Sequence, residues 1–202
     1  MLRKTFYPKL ESLINRMASF LNKKGFSPNQ LTLAGLALNF VAGWIYASGW
    51  IFLGGVMIIL AGFGDLLDGT LARLSGRTSR FGAFLDSTVD RYSDLFLFGG
   101  LALHFAKEAQ GGWLVICLGI ILGSSITSYT KARAENLIEH CNIGVFERTE
   151  RILTLAIGSL LPILLPLALW VLVIGTNATA LQRIFYTRKI LLQKDIPEQP
   201  VA

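Results

Sequence analysis

Six largely apolar stretches recur along this chain, and short polar or turn segments separate them. They run at about 31–48, 50–74, 80–104 and 113–130, then from Glu147 to the Pro162–Pro166 region, and from Leu167 into Arg183–Lys189. In hydrocarbon a chain must satisfy its own backbone hydrogen bonds, so runs of this kind span as helices. A 52% hydrophobic composition and a mean hydropathy of +0.53 are too apolar for an ordinary soluble domain. The pattern predicts an all-α integral membrane protein with six transmembrane helices. They form one membrane domain over 28–192, after an N-terminal segment at 1–27 and before a disordered tail at 193–202.

Residues 1–27 are basic and amphipathic. Leu2, Phe6, Leu10, Leu13, Met17 and Phe20–Leu21 recur at helical spacing, while Arg3, Lys4, Lys9, Arg16, Lys23 and Lys24 supply charge. An interfacial helix lying on an anionic leaflet fits this pattern, and so does an amphipathic helix packed on the protein. No cleavable signal peptide is expected, because this segment lacks an apolar core followed by a small-residue cleavage site. Cys117 and Cys141 form neither a disulfide framework nor a zinc pattern.

The net charge is +6. Nucleic acid is not the expected partner, because the basic residues flank the apolar spans. Six spans put both ends of the membrane domain on one face, and of the 19 Lys and Arg only Lys107 falls on the other. That asymmetry follows the positive-inside rule, and it predicts a multi-pass protein of the cell membrane with its charged loops at the cytoplasmic side.

One of those cytoplasmic ends carries an unusual load. Asp65, Asp68, Asp86 and Asp90 lie within 26 residues of an otherwise apolar chain. Charged side chains in a bilayer cost roughly 2.5–3.5 kcal/mol each, and a divalent cation can keep four such groups together and ionised. With both flanks helical, Asp65, Asp68, Gly69 and Ala72 share one stripe, and Gly82, Asp86 and Asp90 share another. The small residues let two backbones approach, so two carboxylates from each helix would face a shared gap. All-oxygen ligation suits Mg2+ or Mn2+, completed by substrate phosphates. Arg73 follows the first pair, where a guanidinium can clamp a phosphate. The loop Ser75 to Arg80, with Arg77 and Ser79, can collect a pyrophosphate or serve as a topological anchor.

The spacing Asp65-x2-Asp68-Gly69-x2-Ala72-Arg73-x8-Gly82-x3-Asp86-x3-Asp90 matches, at all eight fixed positions, the signature of the CDP-alcohol phosphotransferase family. The chain therefore resembles that family, whose fold is a six-helix membrane bundle. The resemblance implies that CDP-diacylglycerol, or a related CDP-lipid, donates its phosphatidyl group to an alcohol and that CMP leaves. It implies Asp65, Asp68 and Asp86 as metal ligands, with Asp90 as a further ligand and as the general base. It implies Gly69, Ala72 and Gly82 as positions of nucleotide approach, and Arg73 as a phosphate contact. Family members also share a Pro-Asn-x-Leu-Thr-like sequence, which makes Asn29 and Thr32 candidate cytidine contacts. Plain helix capping by Ser27-Pro28-Asn29 explains that stretch equally well. Relatives in this family form homodimers.

A second basic set comprises Arg91, Lys131, Arg133, Arg148 and Arg151, all at cytoplasmic ends of spans. It suits a phosphorylated, water-soluble acceptor. Ser128 to Glu135 and Glu147 to Arg151 resemble the corresponding segments of phosphatidylinositol-phosphate synthases and their archaeal relatives, which implies inositol phosphate. Glycerol 3-phosphate is the rival acceptor. These cations also have a plainer reading, in which they pair with Glu135, Glu147 and Glu150. A cation transporter is the distant alternative from another class, and the cluster's place near one face disfavours it.

Overall fold

The structure is a computed structural model that describes residues 2–194, with side chains from Ser12 to Gln193. Among the described residues it consists of seven α-helices and one 3-10 turn: α1 (Leu2–Lys23), α2 (Pro28–Ala47), α3 (Ile51–Ser75), α4 (Arg80–Lys107), α5 (Gly111–Ala134), α6 (Arg148–Leu160), the turn Pro162–Leu164, and α7 (Leu165–Lys194). α7 continues through Lys194, so the first two residues of the tail expected from Gln193 are helical. The remainder of that tail lies outside the described residues.

Four segments are long and apolar enough to cross a membrane: α2, α3, α5 and the run Pro162–Gln193 that contains α7. Several apolar helices of this kind are those of a multi-pass membrane protein. The other two expected spans fall short of that standard for different reasons. α4 is long but carries Asp86, Asp90, Arg91 and Asp94, and α6 has 13 residues and opens on Arg-Thr-Glu-Arg. Large apolar side chains point outward along the spans, among them Trp44, Phe52 and Ile163. Such exposure is costly in water and neutral in lipid.

Cα packing divides the chain into two compact units, with the boundary at Gly100–Leu101 inside α4. In the first unit, α3 packs on both α1 and α2. Ser27 starts α2 with a capping box. Its backbone N–H donates to Gln30 Oε1 at 2.9 Å, and its hydroxyl accepts from the Gln30 N–H at 3.4 Å. The fully buried Tyr46 ring lies so close to Gly54 that a methyl there would overlap it. α4 crosses α2 through glycine. A Cβ on Gly43 would collide with the Phe96 carbonyl, and one on Gly100 would collide with the Gly43 backbone. Contact of this closeness is available only to residues without side chains. Two further contacts hold the crossing: Asn39 Nδ2 donates to Ser93 Oγ at 3.2 Å, and the Phe40 and Phe96 rings meet edge to face at 5.2 Å. Together they fix the register of α4 beside α2.

In the second unit α7 packs on α5 and α6. Thr127 Oγ1 donates to the Thr176 carbonyl at 2.8 Å, and Asn177 Nδ2 donates to the Gly119 carbonyl at 3.2 Å. The segment between α5 and α6 is pinned to α7. The Phe146 N–H donates to Thr179 Oγ1 at 3.1 Å, and the Phe146 ring rests on Gly175. Arg183 fastens the same segment with all three guanidinium nitrogens. Nε donates to the Ile143 carbonyl at 2.8 Å, Nη1 to the Thr127 carbonyl at 2.7 Å, and Nη2 to Glu147 Oε1 at 2.8 Å.

Candidate active site

The first unit contains an open cavity of about 250 Å³. It forms where the N-terminal turns of α2 and α4 meet the C-terminal turns of α3. Helix N-termini carry partial positive charge and present backbone N–H groups, so two of them at one cavity favour an anionic guest.

Local sequence explains how each wall is built. Ser79 caps α4, its hydroxyl accepting the Gly82 N–H at 2.9 Å. α3 ends at Gly76, whose left-handed φ of +64° lets the Arg77 N–H turn back to the Ala72 carbonyl at 3.1 Å. This Schellman closure swings Arg77 onto the cavity wall. Arg73 reaches the same wall, with Nη2 3.2 Å from Thr70 Oγ1.

Asp68 is the buried carboxylate of the cavity, and Thr32 of α2 donates its hydroxyl to Asp68 Oδ2 at 2.9 Å. Asp86 faces the cavity from α4 and is exposed. Asp86 and Asp65 both lie within electrostatic reach of Asp68. Asp65 sits half-buried against α2, with Oδ1 3.1 Å from where a Cβ on Gly35 would stand. Asp90 is half-buried one turn beyond Asp86. Neither Asp65 nor Asp90 lines the cavity. Among the described residues no group of three or more His, Cys, Asp or Glu is gathered to hold a metal by itself.

The structure thus brings Asp68, expected to serve both metal and CDP-lipid, together with the eight other residues expected at the CDP-lipid: Asn29, Thr32, Gly69, Ala72, Arg73, Arg77, Ser79 and Gly82 all line this one cavity. Asn29 Oδ1 stands 3.4 Å from where a Cβ on Gly82 would be, so that glycine keeps the α2–α4 edge of the cavity open. With Asp86, the lining is completed by Pro28, named in the sequence only as part of the helix start, and by Thr78 and Ala83, which were not singled out. Their adjacency to named residues was the available signal.

The second basic set is distributed differently. Arg91 belongs to the first unit, is exposed, and donates to the Ser87 carbonyl of its own helix. The other four belong to the second unit. Lys131 pairs with Glu147 at 3.4 Å, as the plainer reading of these charges anticipates. Arg151 is buried, with Nη1 3.4 Å from the Phe146 carbonyl. Arg148 is half-buried, and Arg133 is exposed on a separate groove. Arg183, which sequence reasoning counted only as a topological charge, shares Glu147 with Lys131.

A multi-pass membrane protein with a phosphate-ready cavity at the ends of its helices is the class that fold and site define. The family model described as CDP-alcohol phosphatidyltransferase matches residues 26–184, and this chain belongs to that family of phosphatidyl-transferring enzymes. It is 36% identical over 198 residues to the phosphatidylinositol phosphate synthase of Streptomyces avermitilis, covering 91% of this chain and 81% of that protein. It is also 36% identical over 185 residues to the archaetidylinositol phosphate synthase of Pyrococcus horikoshii, covering 91% and 95%. The crystal structure of Mycobacterium tuberculosis phosphatidylinositol phosphate synthase with CDP-DAG bound superposes with a TM-score of 0.82 at 28% identity, covering 87% of this chain and 94% of that one. The same synthase has been solved in complex with manganese and citrate, again with a TM-score of 0.82, at 29% identity and covering 87% and 88%.

Proposed function

We propose that this protein transfers the phosphatidyl group of CDP-diacylglycerol, or of a related CDP-lipid, to inositol phosphate and releases CMP. The observation that carries this reading is the coincidence of the cavity lining with the family signature. A buried carboxylate held by Thr32, two arginines and two helix N-termini converge where a CDP pyrophosphate would lie. The names of the relatives above favour inositol phosphate over glycerol 3-phosphate.

The donor set fits a hard divalent cation, Mg2+ or Mn2+. Asp68 and Asp86 offer oxygen donors from two helices at one cavity, short of a closed protein cage. Magnesium sites of this kind take one or two carboxylates and complete their coordination with substrate phosphates and water. Asp65, Asp68, Asp86 and Asp90 would share the holding of such cations, which when bound would neutralise pyrophosphate oxygens and the departing CMP. Arg73 and Arg77 bind and orient the donor phosphates. Asn29 and the backbone at Gly69, Ala72 and Gly82 accommodate the nucleotide. Asp90 takes the proton of the acceptor hydroxyl as it attacks the phosphorus.

Arg91, Lys131, Arg148 and Arg151 of the second basic set are the proposed source of acceptor-phosphate contacts, and Lys131 would exchange Glu147 for that phosphate, while Arg133 lies on a separate groove. We further infer six spans, with α4 and α6 as the two charged or short crossings. Residues 28–192 act as one domain, the catalytic cavity opens to the cytoplasm, and α1 lies at the membrane interface. The protein works as a homodimer.

The test is CMP release by purified protein from CDP-diacylglycerol with Mg2+ or Mn2+, across inositol phosphate, inositol, glycerol 3-phosphate and serine. Preference for inositol phosphate is expected. No CMP with any acceptor would remove the donor chemistry, and preference for unphosphorylated inositol would remove the role of the basic set.

A further inference from the structure

We propose that a groove between the C-terminal turns of α5 and α7 is a binding site for an anionic phospholipid of the surrounding membrane, separate from the substrate cavity. The groove has a volume of about 380 Å³ and shares no lining residue with the cavity that holds Asp68. Two kinds of surface meet in it. Tyr129, Leu137, Ile184 and Leu192 give it apolar walls, and Arg133 and Arg188 give it two exposed guanidinium groups. Among the described residues no carboxylate lines it. Arg183 also reaches the groove, but its three nitrogens are engaged by Glu147 and by the Ile143 and Thr127 carbonyls. The positive charge offered to a guest is therefore mainly that of Arg133 and Arg188.

The location matches that chemistry. α7 has 30 residues, about 45 Å of helix at 1.5 Å per residue, against a hydrocarbon core of about 30 Å. The apolar part of α7 lies toward its start and its basic residues toward its end, so Arg188 and Leu192 stand at headgroup depth. α5 likewise ends on Lys131 and Arg133. A guest at this depth must place an anionic group on the arginines and a hydrocarbon chain on the leucines and Tyr129. A glycerophospholipid with a negative headgroup does both, whereas a water-soluble phosphate would leave the apolar walls wet. Helical geometry separates this groove from the Lys131 side of α5. Residues two apart on a helix lie about 200° apart around the axis, and Lys131 turns to Glu147 while Arg133 turns to the groove.

The experiment is native mass spectrometry of the full chain released from nanodiscs of phosphatidylcholine containing increasing phosphatidylglycerol. It needs no turnover, so it stands or falls apart from the acceptor assignment. Wild type is expected to retain phosphatidylglycerol over phosphatidylcholine, and less of it as salt rises. Arg188→Gln should weaken that retention about five-fold and Arg188→Gln with Arg133→Gln about 25-fold, while Arg188→Lys stays near wild type. Equal retention by the Gln variants would overturn the proposal. So would displacement of the lipid by saturating CDP, which would place it in the substrate cavity, or by inositol phosphate, which would make the groove an acceptor site. Should the Gln variants unfold, the salt series on wild type decides, and retention indifferent to salt overturns it.

Discussion

The Thr32 hydroxyl donates to Asp68 Oδ2 at 2.9 Å, joining the second turn of α2 to the signature helix α3 across 36 positions of sequence. Both residues are buried. The bond helps to fix the orientation of the carboxylate at the cavity wall. A hydrogen bond to a charged group contributes about 1.5–3 kcal/mol.

Thr32→Val keeps the shape of the side chain and removes the donor. It is expected to lower the kcat/KM for the CDP-lipid by about ten-fold or more, as a loss of that size converts. Thr32→Ser should recover most of the loss. Steady-state CMP release against donor concentration checks this, and a Val variant equal to wild type would show that the bond plays no part in the site.

Asp90→Asn should abolish turnover while donor binding largely survives, because Asp90 stands outside the cavity that receives the nucleotide. Binding of a CDP-lipid in the presence of Mn2+ separates the two possible roles. If the variant loses metal binding along with activity, Asp90 is chiefly a ligand and the proton goes elsewhere.

Gly43→Ala should destabilise the first unit by roughly 1–3 kcal/mol or prevent its folding, since the new methyl would meet the Phe96 carbonyl, a backbone atom that cannot rotate away. Gly62→Ala in α3 is the contrasting case. Its Cβ would meet nothing within 4 Å, and alanine is favoured in a helix interior by about 0.8–1 kcal/mol. Thermal unfolding in detergent should therefore move in opposite directions for the two variants.

Arg183→Met should lower thermal stability by on the order of 3 kcal/mol. It removes the donors to the buried Thr127 carbonyl and the partly buried Ile143 carbonyl, and leaves Glu147 with Lys131 alone. An unfolding temperature unchanged from wild type would show that the segment between α5 and α6 is held by its Phe146 contacts instead.

Much of the site could be read before folding was considered. Asp65, Asp68, Gly69 and Ala72 are close in sequence and fall on one helical stripe, with Arg73 just beyond it, so their grouping follows from 3.6 residues per turn. Gly82, Asp86 and Asp90 obey the same rule. The capping Ser27 was legible for a similar local reason. Less legible were the features that depend on which helices become neighbours. Asn39 meets Ser93 across 54 positions and Arg183 meets Thr127 across 56, and no periodicity announces either pair. Lys131 shows the same limit. Its charge was visible in sequence, but its pairing with Glu147 depends on how the segment after α5 folds back.

The sequence by itself therefore determined the helices, the apolar character of the spans, and the acid-and-arginine stripe, because each is set by local dihedral preference and by the periodicity of side chains along one helix. Tertiary structure alone decided that Asp68 would be buried against Thr32 while Asp86 stays exposed on the cavity, and that Gly43 and Gly100 would carry the crossing of α2 and α4. Those outcomes come from close packing between segments far apart in the chain. There the fit of one surface against another selects a single register from many that the same pattern of residues would permit.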